Sequence, residues 1–351
     1  MALNFDLIEP GVLTGFVREL PVPANYILNR FLPDQNIRDI EAAFTTAFTR
    51  NRAAMFRAFD AETPIGERDN FQRSRVALPP LSQKMLVGEE ERLKLEMLRS
   101  GGDNTDSLIQ ALYNDARINT EAILARMELA RGQVLTTGKF SFAGENGLKG
   151  IEANFGVDTV GATPGSHLPT AATAWTDHDN SDPLDELRSW SDTYTDDSGE
   201  TPAYFLTSRQ AIGHLLRNAA VRSRYANLGG TPSIITRSQL AAILDSEDLP
   251  QLVQYDSQVY VAGTATRIIA ANKGIMLPAT ASSLGSTFWG VTAEALELAG
   301  LNNPQLTFAQ APGLVGMVTK DGDPVRTWTK VAAIGMPVIA DANKLLAATL
   351  W

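Results

Sequence analysis

The residues best suited to chemistry form one cluster, Asp177-His178-Asp179, with Asp182 and Asp185 close behind. Hard carboxylate oxygens at this density could hold Ca²⁺ or Mg²⁺ and support metal-assisted hydrolysis. The run lacks the fixed spacing and the turn glycine of a calcium loop, so a solvated acidic loop is the simpler reading. His167, His178 and His214 lie far apart in sequence, and a triad or histidine-rich metal site needs distant segments to converge. His214 falls mid-helix beside Leu215-Leu216 and reads as a packed histidine. The absence of cysteine excludes disulfides, Cys-ligated zinc, iron–sulfur clusters and thiol nucleophiles. The chain holds no G-x-x-x-x-G-K-[ST], no G-x-G-x-x-G after a strand, no H-E-x-x-H and no G-x-S-x-G. Leu228-Gly-Gly-Thr-Pro232 reads as a turn. Trp175, Trp190, Trp289, Trp328 and Trp351 suit core and interface better than a sugar groove. The sequence thus predicts no catalytic residue, no cofactor and no metal.

Charge narrows the partners. Thirty Lys+Arg against forty Asp+Glu give −10 over 351 residues, the reverse of a protein that grips phosphate chains. No window approaches the ~20 apolar residues of a membrane span, and the N-terminus lacks the order of a signal peptide. The expectation is a soluble product with no membrane partner, long enough for about two domains.

The elements that would position these residues look built for assembly. Residues 1–35 read as irregular, broken by Pro10, Pro21, Pro23, Pro33, Gly11 and Gly15. They are also apolar, so this arm must lie on its own body or on a neighbour. Residues 50–87 read as a long hairpin, with arms at Arg52–Asp60 and Phe71–Leu78 and turn chemistry at Glu62–Gly66. After Gly101-Gly102, the steps Leu108, Leu112, Ala116, Thr120, Ile123, Met127, Ala130, Val134 mark one face of a helix of roughly 30 residues, a structural spine. A hairpin is expected over 138–155. Leu184, Leu187 and Trp190 suit a helix capped by Asp182-Pro183, inside a run (177–200) of nine acids and one arginine. A mixed α/β region follows, with one helix over Ser208–Tyr225. Its cations Arg209, Arg217, Arg222 and Arg224 are expected to face acids of the 177–200 run, in the same or another subunit. Strand-like pieces at Gly313–Thr319, Trp328–Ala332 and Leu345–Leu350 end the pattern.

Several stretches carry a resemblance. They are Phe56-Arg-Ala-Phe-Asp-Ala-Glu-Thr-Pro-Ile-Gly66, Leu78-Pro-Pro-Leu-Ser-Gln-Lys84, Arg126-Met-Glu-Leu-Ala-Arg-Gly-Gln-Val-Leu-Thr-Thr-Gly-Lys139, Trp175-Thr-Asp-His-Asp-Asn-Ser-Asp-Pro183 and Pro337-Val-Ile-Ala-Asp-Ala-Asn343. In order and spacing the chain resembles the lambda-type major head protein E family of tailed phages. That resemblance implies an α+β chain with the Hong Kong 97-type capsid fold. It allocates 1–35 to an N-terminal arm, 36–99 to the extended-loop hairpin and its flanks, 100–182 to a peripheral domain with the spine helix, 183–308 to an axial domain, and 309–351 to a return to the peripheral domain. It implies a non-enzymatic head protein that assembles with itself into hexamers and pentamers of an icosahedral shell in the virion, built in the host cytoplasm. Scaffolding, portal and decoration or cement proteins are the implied partners, with packaged DNA a neighbour by proximity only. The expected intersubunit contacts are Phe5 and Phe16 from the arm, and Arg52, Arg57, Arg68, Arg73 and Arg75 from the hairpin. The hairpin tip, Glu62–Asn70, has no lysine, so no covalent cross-link is expected there. A cellular nanocompartment shell is the alternative role for the same fold, and a metal-assisted hydrolase using 177–185 is the remote one.

Overall fold

The computed structural model describes residues 2–3, 10–47, 71–88, 90, 105–142, 144, 148–161, 163–226, 234–280, 283–300, 312–322 and 325–351. The first part of the chain forms β1 (Ala2–Leu3), α1 (Pro10–Glu19), β2 (Asp34–Asn36), β3 (Glu41–Ala47), β4 (Phe71–Ala77) and β5 (Pro80–Val87). The spine α2 (Thr105–Thr137), β6 (Lys139–Phe142), β7 (Ile151–Asn154) and α3 (Pro183–Ser198) follow. Next come β8 (Tyr204–Thr207), α4 (Arg209–Arg217), α5 (Ala219–Ala226), α6 (Arg237–Ser246), β9 (Gln251–Gln254), β10 (Gln258–Val261), β11 (Thr264–Arg267) and β12 (Lys273–Leu277). The last elements are β13 (Gly285–Trp289), α7 (Ala293–Gly300), β14 (Val315–Gly322), β15 (Val325–Ile339) and β16 (Leu346–Thr349).

Two sheets organise the body. One runs β1-β14-β15-β13-β2, with β5 also paired to β15; the other runs β16-β12-β8-β9. The sheets do not follow the segment boundaries at 182 and 308. Strand β13 lies in the sheet of β14 and β15, while β16 pairs with β12 in the other. The strand-like piece at Trp328–Ala332 is part of the single, longer β15.

At 33 residues, α2 is about 50 Å long, and it lies across β15 and β5. Its apolar stripe is the expected one: Leu112, Ala116, Ile123, Met127 and Val134 are buried. Gly132 sits on this face because the chain at Ile268 comes so close that a Cβ would lie 2.6 Å from the Ile268 carbonyl oxygen. The same face buries charge. Arg131 (2% exposed) donates to Glu128 (0%) at 3.1 Å, to the Thr287 hydroxyl at 2.9 Å and to Asp34. Glu128 also accepts the Leu28 N–H and the Tyr255 hydroxyl, both at 2.9 Å. Asp34 in turn accepts the Trp289 indole N–H at 2.7 Å. Burial, then the Glu128 charge, push the Tyr255 phenol well above its ordinary range. The network ties the spine to β2, β13 and the turn at 28–30.

The N-terminal arm is more regular than its proline and glycine content predicts, since 10–19 is a helix. Pro10 occupies the first turn, where its missing N–H costs nothing. Gly15 faces open space. Leu13 and Val17 are buried, and the Thr14 hydroxyl donates to the Gly316 carbonyl at 2.9 Å. A Cβ on Gly316 would come within 2.9 Å of Val17.

The helix expected over Ser208–Tyr225 is two helices. Asn218 is buried and extended (φ −64°, ψ 138°) between α4 and α5. Its carbonyl oxygen accepts the N–H groups of Ala220 and Val221, and its amide donates to Ser181. The side chain thus starts α5 as an N-cap does. The second hairpin arm at Phe71–Leu78 is β4, whose partner is β3; the first arm read at 52–60 lies outside the described residues. Strand β11 pairs with β10 to form a second short hairpin. The 138–155 hairpin and the helix after Asp182-Pro183 form as expected, with the Asp182 carboxylate accepting the Asp185 N–H.

Replacing Arg131 with Leu leaves the Glu128 charge buried without its cation. The expected loss is ~3–5 kcal/mol, read as a fall in the denaturant midpoint of the isolated subunit.

Candidate assembly surfaces

The hairpin is a two-stranded ribbon in which Glu41 pairs with Ala77 and, at the far end, Ala47 with Phe71. Its root is fixed by Ala42 and Leu78, buried in the main core. No third strand among the described residues flanks it. Two free edges on a ribbon of this kind gain stability from a further surface. Arg73 stands opposite Thr45 and Arg75 opposite Ala43, and Arg75 is exposed. Arg52, Arg57 and Arg68 lie outside the described residues, as does Phe5.

Phe16 is placed by α1. Its ring meets Tyr113 of the spine edge-on, with centroids 4.8 Å apart. It therefore packs within its own chain while staying partly exposed. Val12, one helical turn back, is 41% exposed.

Several acids of 177–200 have local work. The Asp177 carboxylate accepts the amide of Asn180 at 2.9 Å, which with the backbone N–H groups of Asn180 and Asp179 holds its pKa below the ordinary value. Asp185 pairs with Arg188 at 3.2 Å. Glu186 accepts the Ala172 N–H and the indole N–H of the buried Trp175. Among the described residues no three His, Asp or Glu side chains converge as a metal site would require.

The histidines do converge, though not on a nucleophile. His167 is fully buried and donates Nδ1–H to the Leu345 carbonyl at 2.7 Å, while Nε2 lies 3.1 Å from Asp197. His178 Nε2 and His214 Nδ1 share a hydrogen bond of 2.9 Å, and the His214 ring meets Trp351 edge-on at 5.1 Å. Sequence distance concealed this pair: α4 carries one ring and the 177–181 turn the other. Sequence reading also missed Glu128, Arg131, Asp34 and Tyr255. The available signal was two charged residues, three apart, within the apolar stripe of the spine.

Trp175, Trp190 and Trp289 are buried, as a core role requires, and the first two stack at 6.2 Å. Of the cations expected to meet the 177–200 run, Arg224 instead lies 3.6 Å from Glu247, which also takes Arg188 from that run at 2.6 Å.

The surfaces so described are a docked arm, a two-stranded ribbon, a long spine and a second sheet. Comparison with known proteins decides the family. The sequence profile of the phage major capsid protein E family matches residues 10–350. The chain belongs to that family. No curated protein sequence matches it. Two solved structures share its fold. One is a protein assigned as the capsid protein of an Escherichia coli CFT073 prophage, 14% identical with a TM-score of 0.62, covering 100% of both chains. The other is a phage-related protein from Bordetella bronchiseptica RB50, 12% identical with a TM-score of 0.56, covering 100% of this chain and 98% of that one. The capsid protein therefore has the Hong Kong 97-type fold expected from its sequence, and its role is structural.

Burial, then His178 and Arg217, lower the His214 pKa below its ordinary value. A histidine that holds its proton less well folded than unfolded contributes full stability above about pH 6.5 and loses it as pH falls below that. The subunit is expected to lose thermal stability as pH falls below about 6.5, and His214→Gln to flatten that slope. An unchanged slope in the variant would refute the assignment.

Proposed function

We propose that this protein is the major shell subunit of a tailed-phage head, assembling into hexamers and pentamers of an icosahedral shell around double-stranded DNA. The observation that carries this reading is the family match over residues 10–350. The architecture supports it through the ribbon of β3 and β4, which carries free edges away from the core, and the arginines along 50–75, which suit acids on an adjacent subunit. Exposed pairs of that kind fix register more than they add strength. Burial of apolar area from the arm and the ribbon, at ~25 cal/mol per Å², supplies most of the cohesion.

The net charge of −10 fits a wall that leaves packaged DNA free to enter and leave. Scaffolding, portal and decoration or cement proteins are the partners that such a head requires, and the host cytoplasm is the place of assembly. The shell is non-covalent in this reading. Lys84, near the base of the ribbon, stands in β5 with its ammonium 4.2 Å from the centre of the Trp328 ring, an attraction that needs no bond. The family match is to phage head proteins, which favours a viral over a cellular shell.

Negative-stain microscopy of the purified chain, alone and co-expressed with the neighbouring phage genes, is expected to show rings or closed shells. A monodisperse monomer under both conditions would refute the reading. Exchanging Arg57 and Arg68 together for Glu is expected to cut shell yield while leaving the thermal melt of the subunit unchanged. Undiminished yield would remove these two residues from the contact.

A further inference from the structure

Helix α4, the start of α6 and strand β11 enclose an open cleft of about 890 Å³. Four arginines line it: Arg209, Arg217, Arg237 and Arg267. Among the described residues only Arg267 has an acid of its own, Asp256 at 2.8 Å. Burial works against ionisation of Asp256, yet the Arg267 hydrogen bond and its neighbours hold the pKa low, so this pair is neutral overall. Arg209, Arg217 and Arg237 are exposed and form no ion pair with any described residue. His214 stands on the same wall, where burial, then His178 and Arg217, lower its pKa.

The complement stands elsewhere on the same chain. Asp185, Asp192 and Asp196 are spaced seven and four apart on α3, which places them on one exposed helix face. Asp192 and Asp196 form no ion pair with any described residue, and like charges four apart on a helix repel. Among the described residues no ion pair joins the cleft to this stripe. In a chain that self-associates, two unlike, complementary faces make a head-to-tail contact, which closes into a ring when the rotation per step divides a full turn and otherwise runs into an open filament.

We infer that the arginine cleft receives the acidic face of α3 from a second copy of this chain, with Arg209 and Arg217 opposite Asp192 and Asp196. This contact rests on the shell reading above and gives it a directional joint. The competing occupant of a cationic cleft is a phosphate of the packaged DNA, which would pair with the same arginines and ignore α3.

Charge exchange separates these. Two full-length variants are made, Arg209→Glu with Arg217→Glu, and Asp192→Arg with Asp196→Arg. A third chain carries all four changes. Ring and shell formation is followed by mass photometry and negative-stain microscopy, and folding by thermal melts. Each pair of changes is expected to reduce assembly at least about tenfold, because like charges then face each other. The four-change chain is expected to recover assembly. Mixing the two singly reversed chains is expected to restore six-membered but not five-membered rings, since every joint must unite one of each. The inference is overturned if either reversed chain assembles like the wild type. It is also overturned if the four-change chain melts normally yet stays unassembled. Intact shells that retain less DNA only when the cleft is reversed would assign the cleft to phosphate instead. If the wild type itself never assembles, the shell reading fails and this contact falls with it.

Discussion

The ion pair of Arg131 and Glu128, sealed beneath the spine, is the constraint on which the other elements depend. A buried pair is seldom a source of net stability, because desolvating two charges offsets their attraction. Its value here is positional. Five further groups, from Asp34, Thr287, Tyr255, Trp289 and the Leu28 backbone, complete the lone pairs and donors of this network. Any sliding of the spine relative to β2 or β13 breaks several of them at once. Apolar contacts alone tolerate such sliding; a saturated polar network does not.

Around that fixed centre, the molecule separates charge that is used from charge that is left over. Glu247 gathers Arg188 and Arg224. Lys330 meets Glu294 across the first sheet, and Lys344 meets Glu200 beside the second. The arginines of α4 and the outer aspartates of α3 are not consumed this way. Exposed charges contribute little to the stability of an isolated subunit. Their arrangement on separate faces has its effect between subunits, where it selects orientation and register.

Much of this was legible in the sequence, and what was not has physical reasons. The spine showed itself because Leu112, Ala116, Thr120, Ile123, Met127, Ala130 and Val134 repeat at steps of three and four. Helix α3 showed itself because Asp182-Pro183 is a strong start and Leu184, Leu187 and Trp190 lie on one face. Helix α1 was hidden by proline and glycine that proved harmless where they fell. The break at Asn218 was hidden because an asparagine between two good helical runs gives no warning until its side chain finds Ser181. Strands β2, β12 and β13 are short, and such runs carry little period of their own; their partners make them strands. Glu128 and Arg131 gave no warning, because charged residues on a helix are seldom fully buried. The histidine pair depended on a turn and a helix meeting in space, which spacing along the chain does not encode.

The sheets are stitched from the ends of the chain. Leu3 lies opposite Thr319, and Ile275 lies opposite Ala347. A ribosome making this chain must therefore add residues near 319 before β1 has a partner, and residues near 349 before β12 is flanked on both sides. Pairings across such distances close late and slowly. An emerging chain can already coil its spine, but it cannot present finished sheets.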